Sequence, residues 1–172
     1  MPPLKLRFSE SQIISWAEKY EYVRDETELL DLAPHVQSAG YLTKAELYQV
    51  ARWKSPRSAR HIAGNDAAYV EEVTALALAA SEERTRIEAL TLLDGVRWPS
   101  ASVILHFFHD APYPILDYRA LWSLGQKTPK KYDFSIWWAY VEYCRKIARR
   151  NSVDMRTLDR ALWQYSKTRQ RK

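Results

Sequence analysis

The chain has a single cysteine, only four glycines and no long apolar run in its 172 residues. One thiol cannot close an internal disulfide. Nor can it supply the several thiolates that a Cys-rich zinc site or a protein-held iron–sulfur cluster requires. Apolar stretches such as Val73–Ala80 and Ala101–Phe108 fall well short of the ~20 residues that span a bilayer. Met1–Phe8 lacks the apolar core of a signal peptide. These absences lead to the expectation of a soluble cytoplasmic protein, nucleoid-associated if its source is prokaryotic, with no membrane partner, no metal and no cofactor. Two-residue apolar alternation over strand length is also missing, whereas apolar residues recur at three- and four-residue spacing almost throughout. The expected fold class is therefore all-α.

What is present suffices for a core. Hydrophobic residues make up 47% of the chain and aromatics 13%, which excludes global disorder and fits one domain across residues 1–172, read as two interlocked helical lobes. The net charge of +5 is modest but unevenly placed. From Arg145 onward the chain carries Lys146, Arg149, Arg150, Arg156, Arg160, Lys167, Arg169, Arg171 and Lys172 against Asp154 and Asp159 alone. A second basic cluster, Arg52, Lys54, Arg57, Arg60 and His61, lies between Glu46 and Asp66. Two such surfaces fit a polyanion partner, and they equally fit solvated helix faces.

The periodicity predicts helices over Ser11–Tyr22, Thr27–Ala39 with a stop at Gly40, and a helix opened by the capping box Thr43-Lys-Ala-Glu46. Pro56 predicts a bend over Trp53–Arg57 that exposes its side chains. Further helices are expected at Asp66–Ala80, Ser81–Leu93, Pro99–His109, Tyr118–Leu124, Phe134–Arg149 and Asp154–Arg169. Asp117 is a natural cap ahead of Tyr118. Trp137, Trp138, Tyr140, Val141, Cys144 and Ile147 form the apolar face of a buried helix. His106 and His109 stand three apart with no obvious third ligand, which fits packing better than metal binding.

The most informative stretch runs Leu92-Leu93-Asp94-Gly95-Val96-Arg97-Trp98-Pro99-Ser100-Ala101. It is followed at a distance by Pro114-Ile115-Leu116-Asp117-Tyr118-Arg119. Helix, tight turn with Gly, helix, loop, Asp, helix: this succession resembles the helix-hairpin-helix DNA glycosylase superfamily, with the hairpin at about 81–109. In that resemblance Leu93 is the hairpin's leading Leu, Gly95 its first Gly, Val96 the buried apolar residue and Ala101 the small residue where the helices cross. Asp117 falls where the catalytic Asp belongs, 18 residues after Pro99, in agreement with the family's interval.

The resemblance implies double-stranded DNA as partner and excision of a modified or mispaired base by hydrolysis of its N-glycosidic bond. Turn N–H groups and a helix N-terminus can hold a phosphate, which assigns DNA contact to Gly95, Val96, Arg97, Trp98 and Ser100, with Lys54 and Arg57 from the basic cluster. A fixed carboxylate at Asp117 would stabilise charge building on the sugar. A flipped base needs a pocket, for which Trp53, Lys54, Ser55, Tyr113 and Tyr118 are the candidates. The chain departs from the pattern at Arg97, in place of the second Gly. Pro99 stands where lyase-competent members carry a Schiff-base Lys, and the cluster cysteines are missing, so the implied enzyme is monofunctional. Each assignment has a plain structural alternative: Asp117 as a cap only, Trp53 in the core, Tyr113 and Tyr118 in packing. The competing reading for the whole chain is a non-catalytic DNA-binding or protein-interaction module on the same fold. A regulatory helical protein with no nucleic-acid role is a third.

Overall fold

A computed structural model of the chain describes residues 3–22 and 26–170; Arg171 and Lys172 of the basic tail lie outside them. Among the described residues there are ten α-helices and no strand: α1 Ile13–Glu18, α2 Thr27–Ala39, α3 Lys44–Lys54, α4 Pro56–Ile62, α5 Ala67–Ala79, α6 Glu83–Leu90, α7 Trp98–Phe108, α8 Tyr118–Ser123, α9 Phe134–Arg150 and α10 Met155–Arg169. The fold is all-α. None of these helices is long and apolar enough to cross a membrane. The chain divides into two compact units, one of residues 1–22 with 112–172 and the other of residues 23–111.

In the unit of residues 23–111, α7 is the central element. Its Ser100–Leu105 stretch, Phe107 and Phe108 are buried, and α2, α3 and α6 pack around it. The entry into α3 is the expected capping box. Thr43 Oγ1 accepts from the Glu46 N–H at 3.3 Å, and the Thr43 N–H donates to Glu46 Oε2 at 2.7 Å. Two otherwise open donors are thereby satisfied. Gly40 ends α2 with φ +78°, the left-handed conformation that L side chains resist.

Pro56 does more than bend the chain. Ser55 is extended, and Pro56 then occupies the first position of a new helix, α4, where its fixed φ suits helix and its missing N–H costs nothing. The bend does not expose Trp53, which is buried and meets Phe107 edge-on at 5.5 Å. Several helices are shorter than the periodicity suggests. The expected Ser11–Tyr22 helix is a 3-10 turn over Glu10–Gln12 followed by α1, and Ser81–Leu93 contracts to α6, with a run of turns leading into the next helix.

In the other unit, α10 is the organising helix. α1, α8 and α9 all pack on it. α9 buries Trp137, Tyr140, Val141, Cys144 and Ile147, the face read from the sequence, apart from Trp138, which is half-exposed. Burial, with the buried Asp159 carboxylate as a second cause, pushes the Cys144 thiol far above its ordinary range, so this thiol is a packing group rather than a nucleophile.

Candidate functional site

Within residues 23–111 the hairpin is built by local rules. After α6 the N–H groups of Thr91, Leu92 and Leu93 fold back to the carbonyls of Glu88, Ala89 and Leu90. Leu93–Val96 is then a four-residue turn, closed by Val96 N–H donating to the Leu93 carbonyl at 3.0 Å. Gly95 is its third residue, with φ +82°, the place that demands glycine in a type II turn. A Cβ there would also lie 2.9 Å from Ile62 Cδ1 and 3.0 Å from the Ser58 carbonyl. Gly95 therefore serves both turn geometry and the close approach of the hairpin to α4.

One side chain locks this turn to α4. Asn65 is buried. Its amide donates to the carbonyls of Ile62 at 3.1 Å and Asp94 at 3.0 Å, while its oxygen accepts from the Asp94 N–H at 2.8 Å. The arrangement satisfies three backbone groups with one amide. No sequence pattern in the resemblance marks Asn65; the local signal is its place after Gly64, where the α4 end must turn before Asp66.

Along this junction runs a surface pocket of about 580 Å³, lined by Ser58, Arg60, His61, Gly64, Asp94, Gly95 and Arg97. Arg60 Nε donates to His61 Nε2 at 3.3 Å. Arg97 is exposed and extended, and it precedes α7 without capping it through its side chain. Among the described residues no acceptor meets the N–H of Gly95 or Arg97. The pocket is thus lined by two arginines and one carboxylate, Asp94, and two of its lining residues have unengaged backbone N–H groups, a composition that suits an anion of phosphate type.

The expected DNA-contact residues are placed unequally. Gly95 and Arg97 line the pocket. Val96 does not present a donor, because it is buried and its N–H closes the turn. Ser100 is buried in the first turn of α7, and Trp98 is half-exposed at its start. Arg57 is exposed, yet the pocket takes Ser58, Arg60 and His61 from α4 instead. Lys54 and Ser55 lie at the α3–α4 junction, where Ser55 Oγ accepts from Ser58 Oγ at 3.2 Å, and neither lines the pocket. Trp53, expected in a base pocket, belongs to the core.

Asp117, Tyr113 and Tyr118 are in the other unit. Asp117 is half-buried and caps α8, its Oδ1 accepting from the Arg119 N–H at 2.9 Å. The loop before it is tied down: the Ile115 N–H donates to Asp159 Oδ1 at 3.2 Å, the Ile115 carbonyl accepts from the Tyr140 hydroxyl at 2.8 Å, and the Pro112 carbonyl accepts from Arg145 Nε at 2.8 Å. Burial, and after it the Asp117 charge, raises the Tyr132 hydroxyl above its ordinary value. Burial, then Cys144, Asp159 and Asp117, raises Tyr140 further. Both hydroxyls stay neutral at physiological pH, and the Tyr140 proton is already given to the Ile115 carbonyl.

Tyr113 is not available to stack on a base. It is fully buried, parallel to Trp137 at 5.8 Å, with the Arg145 guanidinium 4.5 Å from its centroid. Tyr118 is exposed beside Asp117. His106 lies edge-on to Phe107, and His109 Nδ1 accepts from the Ala111 N–H at 2.9 Å. Among the described residues no three His, Cys, Asp or Glu side chains form a metal-binding group. No family model, no curated protein and no solved structure matches the chain.

Proposed function

We propose that the protein binds duplex DNA through a helix-hairpin-helix of glycosylase type and excises a modified or mispaired base by monofunctional hydrolysis. The observation that carries the DNA-binding part is the turn Leu93–Val96, locked by Asn65, opening on a pocket with Arg60, His61 and Arg97 and with backbone donors at Gly95 and Arg97. Such a turn anchors phosphate without reading sequence. Arg97, where the family pattern has Gly, supplies a charged contact in place of a closer backbone approach.

For excision the candidate is Asp117, on a loop held from both sides by hydrogen bonds to α9 and α10. A carboxylate in a fixed position stabilises the positive charge that builds on the sugar as the base leaves with the bonding electron pair, before water adds at the sugar carbon, and it does so without reorganising, which is the basis of electrostatic catalysis. Tyr118, exposed at the next position, is the remaining aromatic candidate for contact with an extruded base.

The test is mass spectrometry of bases released from DNA carrying alkylated, deaminated and oxidised bases, with wild type and Asp117→Asn compared. Wild type should release a base, and the Asn variant should fall by about 10²–10³-fold, the range for removing one group that stabilises developing charge, while retaining DNA affinity. A second reading, a DNA-binding module without turnover, is favoured by the cap that Asp117 makes and by the burial of Tyr113. It expects salt-sensitive duplex binding with no base released by either protein.

A further inference from the structure

Opposite charges share the hairpin pocket without pairing. Arg60, His61 and Arg97 line it together with Asp94, yet no hydrogen bond or ion pair joins the Asp94 carboxylate to any of the three. Its place is nonetheless defined. Asn65 holds the Asp94 main chain at both its N–H and its carbonyl, and a Cβ at Gly64 would lie 3.2 Å from Asp94 Oδ2. On the cationic side, Arg60 engages His61 through Nε, which keeps its paired Nη groups for an acceptor. The N–H groups of Gly95 and Arg97 meet no acceptor among the described residues. All of these residues belong to the unit of residues 23–111.

We propose that this pocket is a site for a small sugar phosphate, a phosphomonoester flanked by hydroxyl groups. Three features select that ligand. The volume of about 580 Å³ falls within the roughly 300–1,000 Å³ of small-molecule sites, so there is room for more than the phosphate. A phosphomonoester carries about −1.5 to −2 charge near neutral pH and three terminal oxygens. That is enough to engage both guanidinium groups and the two backbone donors together. The third feature is Asp94, which only accepts hydrogen bonds when ionised. Beside a bare phosphate it contributes repulsion alone; beside a sugar hydroxyl it makes a charge-assisted hydrogen bond. An interior phosphodiester of DNA is flanked by sugars with no free hydroxyl, so duplex binding leaves Asp94 unused. The proposal takes from the hairpin reading only the anion-binding side of the pocket, and it needs neither duplex binding nor base excision.

The experiment records amide NMR spectra of the full chain during titration with ribose 5-phosphate, methyl phosphate and ribose, and separately with duplex DNA. Ribose 5-phosphate is expected to shift the Gly95 and Arg97 amide resonances and to bind about tenfold more tightly than methyl phosphate, the scale of one hydrogen bond to a charged group. Ribose alone should shift neither resonance. In Asp94→Ala the preference for ribose 5-phosphate should vanish, while methyl phosphate, relieved of the carboxylate's repulsion, binds no more weakly than to wild type. Arg97→Ala should weaken both phosphates by a similar factor. Equal affinity of wild type for the two phosphates overturns the proposal, as does a preference that survives Asp94→Ala, or Gly95 and Arg97 resonances that ribose 5-phosphate leaves in place. The spectrum of each variant reports its fold, and the wild-type comparison of the two phosphates decides the matter if Asp94→Ala unfolds. Duplex binding that depends on Arg97, with no preference for ribose 5-phosphate, removes this proposal and leaves the hairpin reading standing. Preferential ribose 5-phosphate binding without duplex binding does the reverse.

Discussion

Two helix starts in this protein solve the same problem differently. At the start of α8, Asp117 accepts the Arg119 N–H; α9 and α10 begin likewise, with Asp133 accepting from Ile136 at 2.9 Å and Asp154 from Thr157 at 2.6 Å. At the start of α7, Arg97 makes no side-chain cap, Pro99 contributes no donor, and the neighbouring pocket holds Arg60 and Arg97. Helix N-termini present open donors and partial positive charge. One region neutralises them with its own carboxylates, and the other adds further positive charge. The starts of α8, α9 and α10 are closed by Asp, whereas the start of α7 has no carboxylate cap and lies beside a pocket lined by Arg60 and Arg97, with Asp94 as its one carboxylate.

The sharpest way to break this comparison is at Gly95. Gly95→Ala must hold a left-handed φ and place a Cβ 2.9 Å from Ile62 Cδ1. Strain and overpacking together are expected to cost roughly 3 kcal/mol, measured by urea denaturation. Gly40 has a similar φ of +78° but nothing within 4 Å, so Gly40→Ala should cost only about 1 kcal/mol. Equal losses would mean that the hairpin is not pressed against α4. Asn65→Ala comes next, at about 2 kcal/mol, because it leaves buried backbone groups without partners. It should also weaken duplex binding by loosening the turn.

Smaller effects separate the two helix starts. Asp117→Ala should lose about 1 kcal/mol from its missing cap, whereas Asp117→Asn, an equally good cap, should lose almost none. Arg97→Ala should leave stability unchanged while weakening DNA binding. A stability loss at Arg97 as large as at Asp117 would remove the contrast. The mildest effect is one of pH. The Glu10 carboxyl is held below its ordinary value first by the hydrogen bond from Asn151, with the hydrogen bond and charge of Arg150 helping it outweigh the opposing effect of burial. A group whose folded-state value is lowered stabilises above its unfolded value, and that contribution disappears as pH falls through the lowered one. Wild type should therefore lose some stability on acidification below about pH 4.5, the ordinary Glu value, and Glu10→Gln should flatten that limb of the curve.

Much of the fold is legible because its signals are local. Thr43 and Glu46 stand three apart and close a capping box; Gly40 and Gly95 mark left-handed turns; Asp117 and Asp154 precede apolar periodicity. Pro56 is legible only in part: the rule that places Pro99 near a helix start applies equally to Pro56, and there it begins α4. The candidate site is less legible because its decisive contacts are distant in sequence. Asn65 binds a turn 29 residues away. The pocket draws on Arg60 and His61 rather than Lys54 and Arg57, and helical phase relative to a neighbour that local pattern does not name decides between them. Tyr113 and Trp53 illustrate the same limit, since an aromatic beside a loop looks identical in sequence whether it faces solvent or Trp137.

The most direct test of the hairpin as a phosphate anchor is the salt dependence of duplex DNA affinity for wild type and for Arg60→Glu with Arg97→Glu. In the wild type, log affinity is expected to fall steeply with log salt. In the double variant the slope should be shallower by about 2, the value for two phosphates that the protein no longer neutralises. An identical slope in both proteins, or no salt-dependent binding by the wild type, would contradict it.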